Sequence, residues 1–205
     1  MAAKFSANAL IELAKNRRSI YSLSKKLPIS TQRITEIVNQ TTLETPSSFN
    51  SQSNRVVVLY GAEHDKLWDI TSDALKAIVP AESWESTAGR ISGFKAAAGT
   101  VLFYVDNTTV ETFQSKFAVY ADRFEPWAVQ SAAIQQYLLW TALEAEGLGA
   151  NLQHYNPLID AKVAETWKIP SAWTLNAQLV FGAKESEAAP KEYIPVEERV
   201  KVFGA

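Results

Sequence analysis

Apolar runs of strand length, separated by stretches with helical periodicity, predict an α/β or α+β domain. The runs are Arg55–Gly61, Thr100–Asp106 and Ala177–Gly182. A second observation is the stretch Trp127–Glu146, which has no Pro or Gly and in which thirteen of twenty residues are apolar. Ile134, Leu138, Ala142 and Ala145 follow helical spacing there, but Ala132, Leu139 and Leu143 lie on other faces. A helix apolar nearly all round is buried nearly all round. It is therefore either a central core helix or one that lends a face to a partner subunit. A third observation is Gly147-Leu148-Gly149, which ends the helix at little steric cost. Ala150–Tyr155 then reads as a polar loop held against the core, a common place for a ligand.

Composition narrows the class. A chain of 205 residues with 47% apolar content makes one large domain, or one domain with an arm. A net charge of −2 gives no general attraction to nucleic acid or to an anionic membrane. The absence of cysteine removes disulfides, thiol nucleophiles and thiolate-held metals, and two histidines, His64 and His154, argue against a histidine metal site. Trp127–Glu146 is too short and too rich in Gln to span a bilayer. The first nineteen residues lack the apolar run of a secretory signal, so a soluble, cytoplasmic protein is expected.

In order along the chain, Ser6 caps a helix that runs to about Lys15. Arg17-Arg18 at its end has two readings: charges that offset the helix dipole, or guanidinium forks that join Ser19 around an anion. Ser30 caps a second helix with Ile34, Ile37 and Val38 on one side. Glu44–Asn54 is rich in hydroxyls and amides around Phe49; it reads as a surface linker or as a cradle for a planar ligand. Arg55–Gly61 has the continuous apolar character of a strand covered on both faces. Glu63–Val79 and Ser83–Ala97 are expected helices, with Gly89 and Gly93 interrupting the second. Thr108–Phe124 reads as a helix carrying Phe113, Phe117, Tyr120 and Phe124, a row that serves the core or lines an aromatic pocket at a subunit interface. Asn156-Pro157 reads as a cap and first residue of a helix to Trp167. Beyond the linker Lys184–Lys191, Arg199–Phe203 alternates basic and apolar residues at the strand period.

No Gly-x-Gly-x-x-Gly, phosphate loop, Ser-His-Asp order or metal-ligand spacing is present. Taken in order, however, four motifs resemble the flavin-dependent nitroreductase family. They are Arg17-Arg18-Ser19-Ile20, Pro46-Ser47-Ser48-Phe49-Asn50-Ser51-Gln52 ahead of the run Val56–Leu59, the Gly147-Leu148-Gly149 turn after a long apolar helix, and the basic arm near the C-terminus. Glu146–Pro157 and the ending Glu198–Gly204 are most similar to a compact subgroup from fungi and some bacteria.

The resemblance implies an α+β three-layer sandwich: a mainly antiparallel sheet flanked by helices, in a single FMN-binding domain over residues 1–205. An arm from about residue 184 would be exchanged in a homodimer. It implies one FMN per subunit at the dimer interface, with Arg17, Arg18 and Ser19 on its phosphate and ribityl chain. Pro46, Ser47, Ser48 and Asn50 would border the ring from either subunit. Leu152, Gln153 and His154 would lie near the ring's reactive edge, although His154 reads equally as a structural hydrogen-bonding group. Arg199 and Lys201 would close on the phosphate, with Lys191 a competitor for that role. The implied activity is ping-pong transfer of two electrons from NAD(P)H to nitroaromatics or quinones, with a place in stress response. The alternative is a flavin-binding redox sensor with little turnover. Two departures stand out: Tyr21 occupies a position that is often basic, and Phe49 one that is usually small, which narrows the space over the ring.

Overall fold

The computed structural model describes residues 6–205; Met1–Phe5, part of the stretch read for a secretory signal, lie outside the described residues. Ser6 caps α1 (Ala7–Asn16) by accepting from Ala9 N at 3.2 Å. After β1 (Leu23–Ser24), Ser30 caps α2 (Thr31–Glu44), which buries Ile34, Ile37, Val38 and Thr41. A tight turn at Ser48–Asn50 leads into β2 (Asn54–Tyr60), followed by α3 (Gly61–Lys76) and α4 (Ala81–Lys95). Next come β3 (Gly99–Asp106), α5 (Asn107–Lys116) and α6 (Ala121–Ala145). The chain continues with β4 (Leu148–Gln153), α7 (Asp160–Trp167), β5 (Trp173–Lys184) and α8 (Val196–Arg199).

All strand ladders are antiparallel, and β5 is their hub. It pairs with β3, β4 and β1, while β2 adds to the far side of β3. Successive β3 residues point to opposite faces. Leu102 and Tyr104 enter a cluster with Leu67, Trp68, Ile91, Phe94 and Val163 of α3, α4 and α7. Val101 and Phe103 enter the other, with Ile34, Ile37 and Val38 of α2 and Leu139 and Leu143 of α6. The expected α+β three-layer sandwich is the fold found.

Several element readings need correction. Ala150–Tyr155 is mostly strand, not loop: Leu148–Gln153 pairs with β5 along its whole length. Thr108–Phe124 is not one helix. Phe117 leaves the helical region (φ −127, ψ 61), and α6 starts at Ala121, earlier than expected, with Pro126 inside it. So near the helix start, that proline forfeits only the bond to the Asp122 carbonyl. Strand β2 is an edge strand, so Val56, Val57 and Val58 are half-buried. Asn156-Pro157 lies in a turn, and the helix after it opens at Asp160. Arg199–Phe203 is no strand: Arg199 ends the single turn of α8, and the residues after it have no regular structure.

Helix α6 is covered on only part of its circumference. Leu139 and Leu143 are fully buried against the sheet, whereas Val129, Ile134 and Tyr137 are each 45% exposed. Among the described residues, then, α6 is a core helix on one side and keeps a partly open apolar face on another.

Candidate functional site

The segment after α1 is laid against β4. Ile20 N donates to Ala150 O at 2.9 Å, and Ser19 and Ala150 form an isolated parallel bridge. Gly149 makes room for this crossing: a Cβ there would come within 2.8 Å of Leu23 and Lys184 and 3.2 Å of Ile20. The buried Asn151 side chain donates to Ile20 O at 2.8 Å and accepts from Gln153 Nε2 at 2.8 Å. Arg17, Ser19 and the β4 end are thus one assembly, with Leu152 and Gln153 half-buried on it and His154 exposed just beyond.

Arg17 lies over α6. Its guanidinium carbon is 4.3 Å from the Trp140 ring centroid and 5.8 Å from that of Tyr137, a cation–π arrangement. Arg17 Nε is enclosed and has no hydrogen-bond partner among the described residues. Arg18 Nη2 donates to Ala189 O at 3.0 Å, which draws the start of the C-terminal arm over the same place. The result is a hollow of about 590 Å³ whose walls include Arg17, Arg18, Ser19, Tyr21, Glu187 and Lys191. Three cations face one carboxylate there, and a hydroxyl stands beside them. This is a donor set suited to a phosphate dianion. Arg199 and Lys201 do not line the hollow; both are exposed, and Lys201 Nζ donates to Glu197 O at 2.9 Å within its own turn. From the C-terminal arm it is Lys191 that the single chain brings to the arginines.

The Pro46–Gln52 loop is elsewhere. Ser47 Oγ accepts from Gln52 N at 2.9 Å, and Phe49 (φ 56), Asn50 (φ 51) and Gln52 (φ 51) all take left-handed backbone. Pro46 and Asn50 are exposed, and Ser47 and Ser48 half-buried. Phe49 packs on Phe124 and Trp127, at the start of α6, with centroids 5.5 and 6.1 Å away. Trp127 and Trp140 stand about 20 Å apart along the helix axis at about 1.5 Å per residue. One chain therefore carries two separate clusters, a cationic one and an aromatic one. Trp140, Tyr137 and Asn151 were not singled out as site residues from sequence. The two aromatics blended into an apolar helix, and the amide sat in what read as a loop.

A sheet sandwich with a cation-lined hollow between the segment after α1 and the start of the C-terminal arm defines an α+β domain with a candidate anion site. Comparison with known proteins narrows this. Residues 14–183 match the model of the nitroreductase family. HBN1 of Saccharomyces cerevisiae is 39% identical over 180 residues, which cover 87% of this chain and 89% of that protein. Nitroreductase CinD from Lactococcus lactis, solved in complex with chloramphenicol, has a TM-score of 0.88 at 41% identity, over 95% of this chain and 100% of that one. The same protein was solved in complex with 4-nitrophenol. A nitroreductase from Desulfitobacterium hafniense with bound FMN shares the fold alone, at 14% identity and a TM-score of 0.71, over 97% and 100% of the two chains. The chain belongs to the nitroreductase family.

Proposed function

We propose that this protein is an FMN-dependent oxidoreductase that passes two electrons from NAD(P)H to nitroaromatic or quinone acceptors, as a homodimer with two shared sites. The observation that carries the reading is the hollow of Arg17, Arg18, Ser19 and Lys191, three cations and a hydroxyl around one space. The three cations would hold the FMN phosphate, and Ser19 would donate to it. Lys191 takes the role first given to Arg199 and Lys201, because it already stands among the arginines. Leu152 and Gln153, tied to Ile20 through Asn151, would lie along the ring. Held there by Arg17, Arg18, Ser19 and Lys191, FMN would supply two-electron transfer between NAD(P)H and an acceptor that use one pocket in turn, and the kinetics would be ping-pong. A quinone then leaves as hydroquinone after taking up two protons, and a nitro group as nitroso plus water.

The dimer follows from the two clusters. Ala133 and Ile134 stand midway between Trp127 and Trp140 on α6. Two copies of α6 crossing antiparallel about Ile134 would cover the open Val129, Ile134 and Tyr137 face. The same crossing would set the Pro46, Ser47, Ser48 and Asn50 loop of one subunit near the cationic hollow of the other. The relative solved with 4-nitrophenol lends its acceptor class to this reading. The test is a visible spectrum of purified protein. A flavin spectrum, FMN released on denaturation, and bleaching by NADH reversed by a quinone are expected. Protein that is colourless and fails to take up added FMN rejects the proposal. A bound flavin that NAD(P)H does not reduce leaves the sensor reading instead.

A further inference from the structure

Phe49 joins the Pro46–Gln52 loop to the start of α6. Its ring centroid lies 4.5 Å from that of Phe117, 5.5 Å from Phe124, 6.0 Å from Tyr120 and 6.1 Å from Trp127. Yet Phe49 keeps 49% of its surface open, and Tyr120 47%. An apolar ring left half in water gains only part of its burial energy. Its backbone adds a cost, since φ 56 and ψ 23 hold a bulky residue in the left-handed region.

The loop is pinned in this state from its base. Arg55 Nη1 donates to Gln52 O at 2.8 Å, and Arg55 Nη2 to Asp106 Oδ2 at 2.6 Å. Asp106 in turn caps α5 by accepting from Thr108 N at 3.1 Å, and α5 is followed at once by Phe117. Loop and aromatic wall are therefore fixed to each other at the base, by Arg55 and Asp106, and at the tip, by Phe49 and Phe117. A strained segment clamped in place presents an aromatic face that, among the described residues, is left half open.

We propose that Phe49 is a specificity-determining residue of the acceptor subsite, an aromatic box that selects flat aromatic acceptors by stacking. This rests on the reading above, in which the loop borders the ring of the partner's FMN. Phe49, Phe117, Tyr120 and Trp127 offer ring faces and edges with one hydroxyl among their phenyl and phenol groups, so a flat electron-poor ring gains most there. Lys116 Nζ, 5.3 Å from the Phe117 centroid, favours neutral or anionic acceptors over cationic ones. An aliphatic acceptor, or one that takes electrons without stacking, gains nothing from the box.

The test uses Phe49→Gly and Phe49→Leu in the FMN-loaded protein. Glycine adopts positive φ freely, so Phe49→Gly removes the ring while leaving the backbone its conformation; Phe49→Leu keeps apolar bulk without a π face. The first readout is the Kd of 4-nitrophenol by calorimetry without reductant. Phe49→Gly is expected to weaken it about tenfold, and Phe49→Leu by less. The second is the ratio of kcat/KM for a naphthoquinone to that for ferricyanide, which is expected to fall by a similar factor. An unchanged Kd and ratio in a variant that keeps its flavin overturns the proposal. So does loss of FMN or of the dimer from Phe49→Gly, which would make the ring structural. A parent protein that binds no FMN sinks the reading beneath it, and a flavoprotein indifferent to Phe49→Gly sinks this inference alone.

Discussion

The two ends of α6 present opposite chemistry. Near its start, Phe124 and Trp127 meet Phe49 of a clamped, left-handed loop. Near its end, Tyr137 and Trp140 carry Arg17, and behind it Arg18 and Lys191. In the proposed reading the two ends divide the work of holding a flavin: one would border its ring with aromatic faces, the other would meet its phosphate with cations. The contrast is what motivates the proposed homodimer, in which the unit of function would be larger than one folded chain. The open face midway between the ends is where the halves would join.

The most damaging way to break this arrangement is at its midpoint. Ile134→Arg places a charge in the centre of the proposed helix pairing, where an unpaired buried charge is strongly destabilising. The expected outcome is a monomer by sedimentation and loss of bound FMN, since each hollow would lose the opposing loop. A dimer that persists with its flavin would show that the two ends meet in some other way.

Next in size is the cationic end by itself. Arg17→Ala with Lys191→Ala removes two charge-assisted contacts, each worth on the order of 1.5–3 kcal/mol. The FMN Kd should rise on the order of a hundredfold or more by fluorescence titration. Arg199→Ala should change it less than about twofold. The reverse ranking would return the phosphate to Arg199 and Lys201 and show that the arm moves to deliver them.

Asn151→Ala reaches the same end from beneath. The buried amide holds the Ile20 carbonyl, so its loss should cost about 1–3 kcal/mol of stability, read from denaturant unfolding. Because Ile20 follows Ser19, FMN affinity should drop as well, but by less than in the double variant. Loss of stability with unaltered affinity would separate β4 from the cationic end.

Asn151 also marks the limit of what the sequence made legible. The motifs Arg17–Ile20 and Pro46–Gln52, and the apolar helix between distant parts of the site, were legible because backbone and side-chain chemistry there is local. The antiparallel sheet was legible through the family resemblance, but the place of β4 beside β5 was not. Strand β4 reads as a loop because Asn151 and Gln153 are polar, and their burial depends on partners over a hundred residues away or on the adjoining strand. The arm reads as a strand because its residues alternate, yet alternation needs a neighbouring strand to become a ladder, and the described residues supply none. Lys191 entered the hollow through Arg18 and the Ala189 carbonyl, a side chain-to-backbone contact that no spacing rule encodes.

The smallest effect expected separates both ends of α6 from the layer on the other side of the sheet. His64 on α3 is fully buried, with Nδ1 2.8 Å from Thr100 Oγ1, which also accepts from Trp68 Nε1 at 3.1 Å. Burial pushes its pKa below the usual 6.5, more than the nearby Asp65 charge raises it. The unfolded chain therefore takes up a proton at His64 before the folded one does. Its contribution to stability is complete above about pH 6.5 and is lost as pH falls through the folded value. Asp160 works in the opposite sense: burial raises its carboxyl, so its contribution is complete below about 3.8 and lost as pH rises through the folded value. Thermal unfolding of flavin-free protein between pH 7.5 and 5 should thus show a falling melting temperature that His64→Gln flattens. The Arg17 and Lys191 variant should keep the parent's slope, because the charges that act on His64 are Asp65 and Lys25, not those two. If the cationic end altered that slope and His64→Gln did not, the acid response would belong to the hollow, and its charges would be coupled to folding rather than held in reserve for a phosphate.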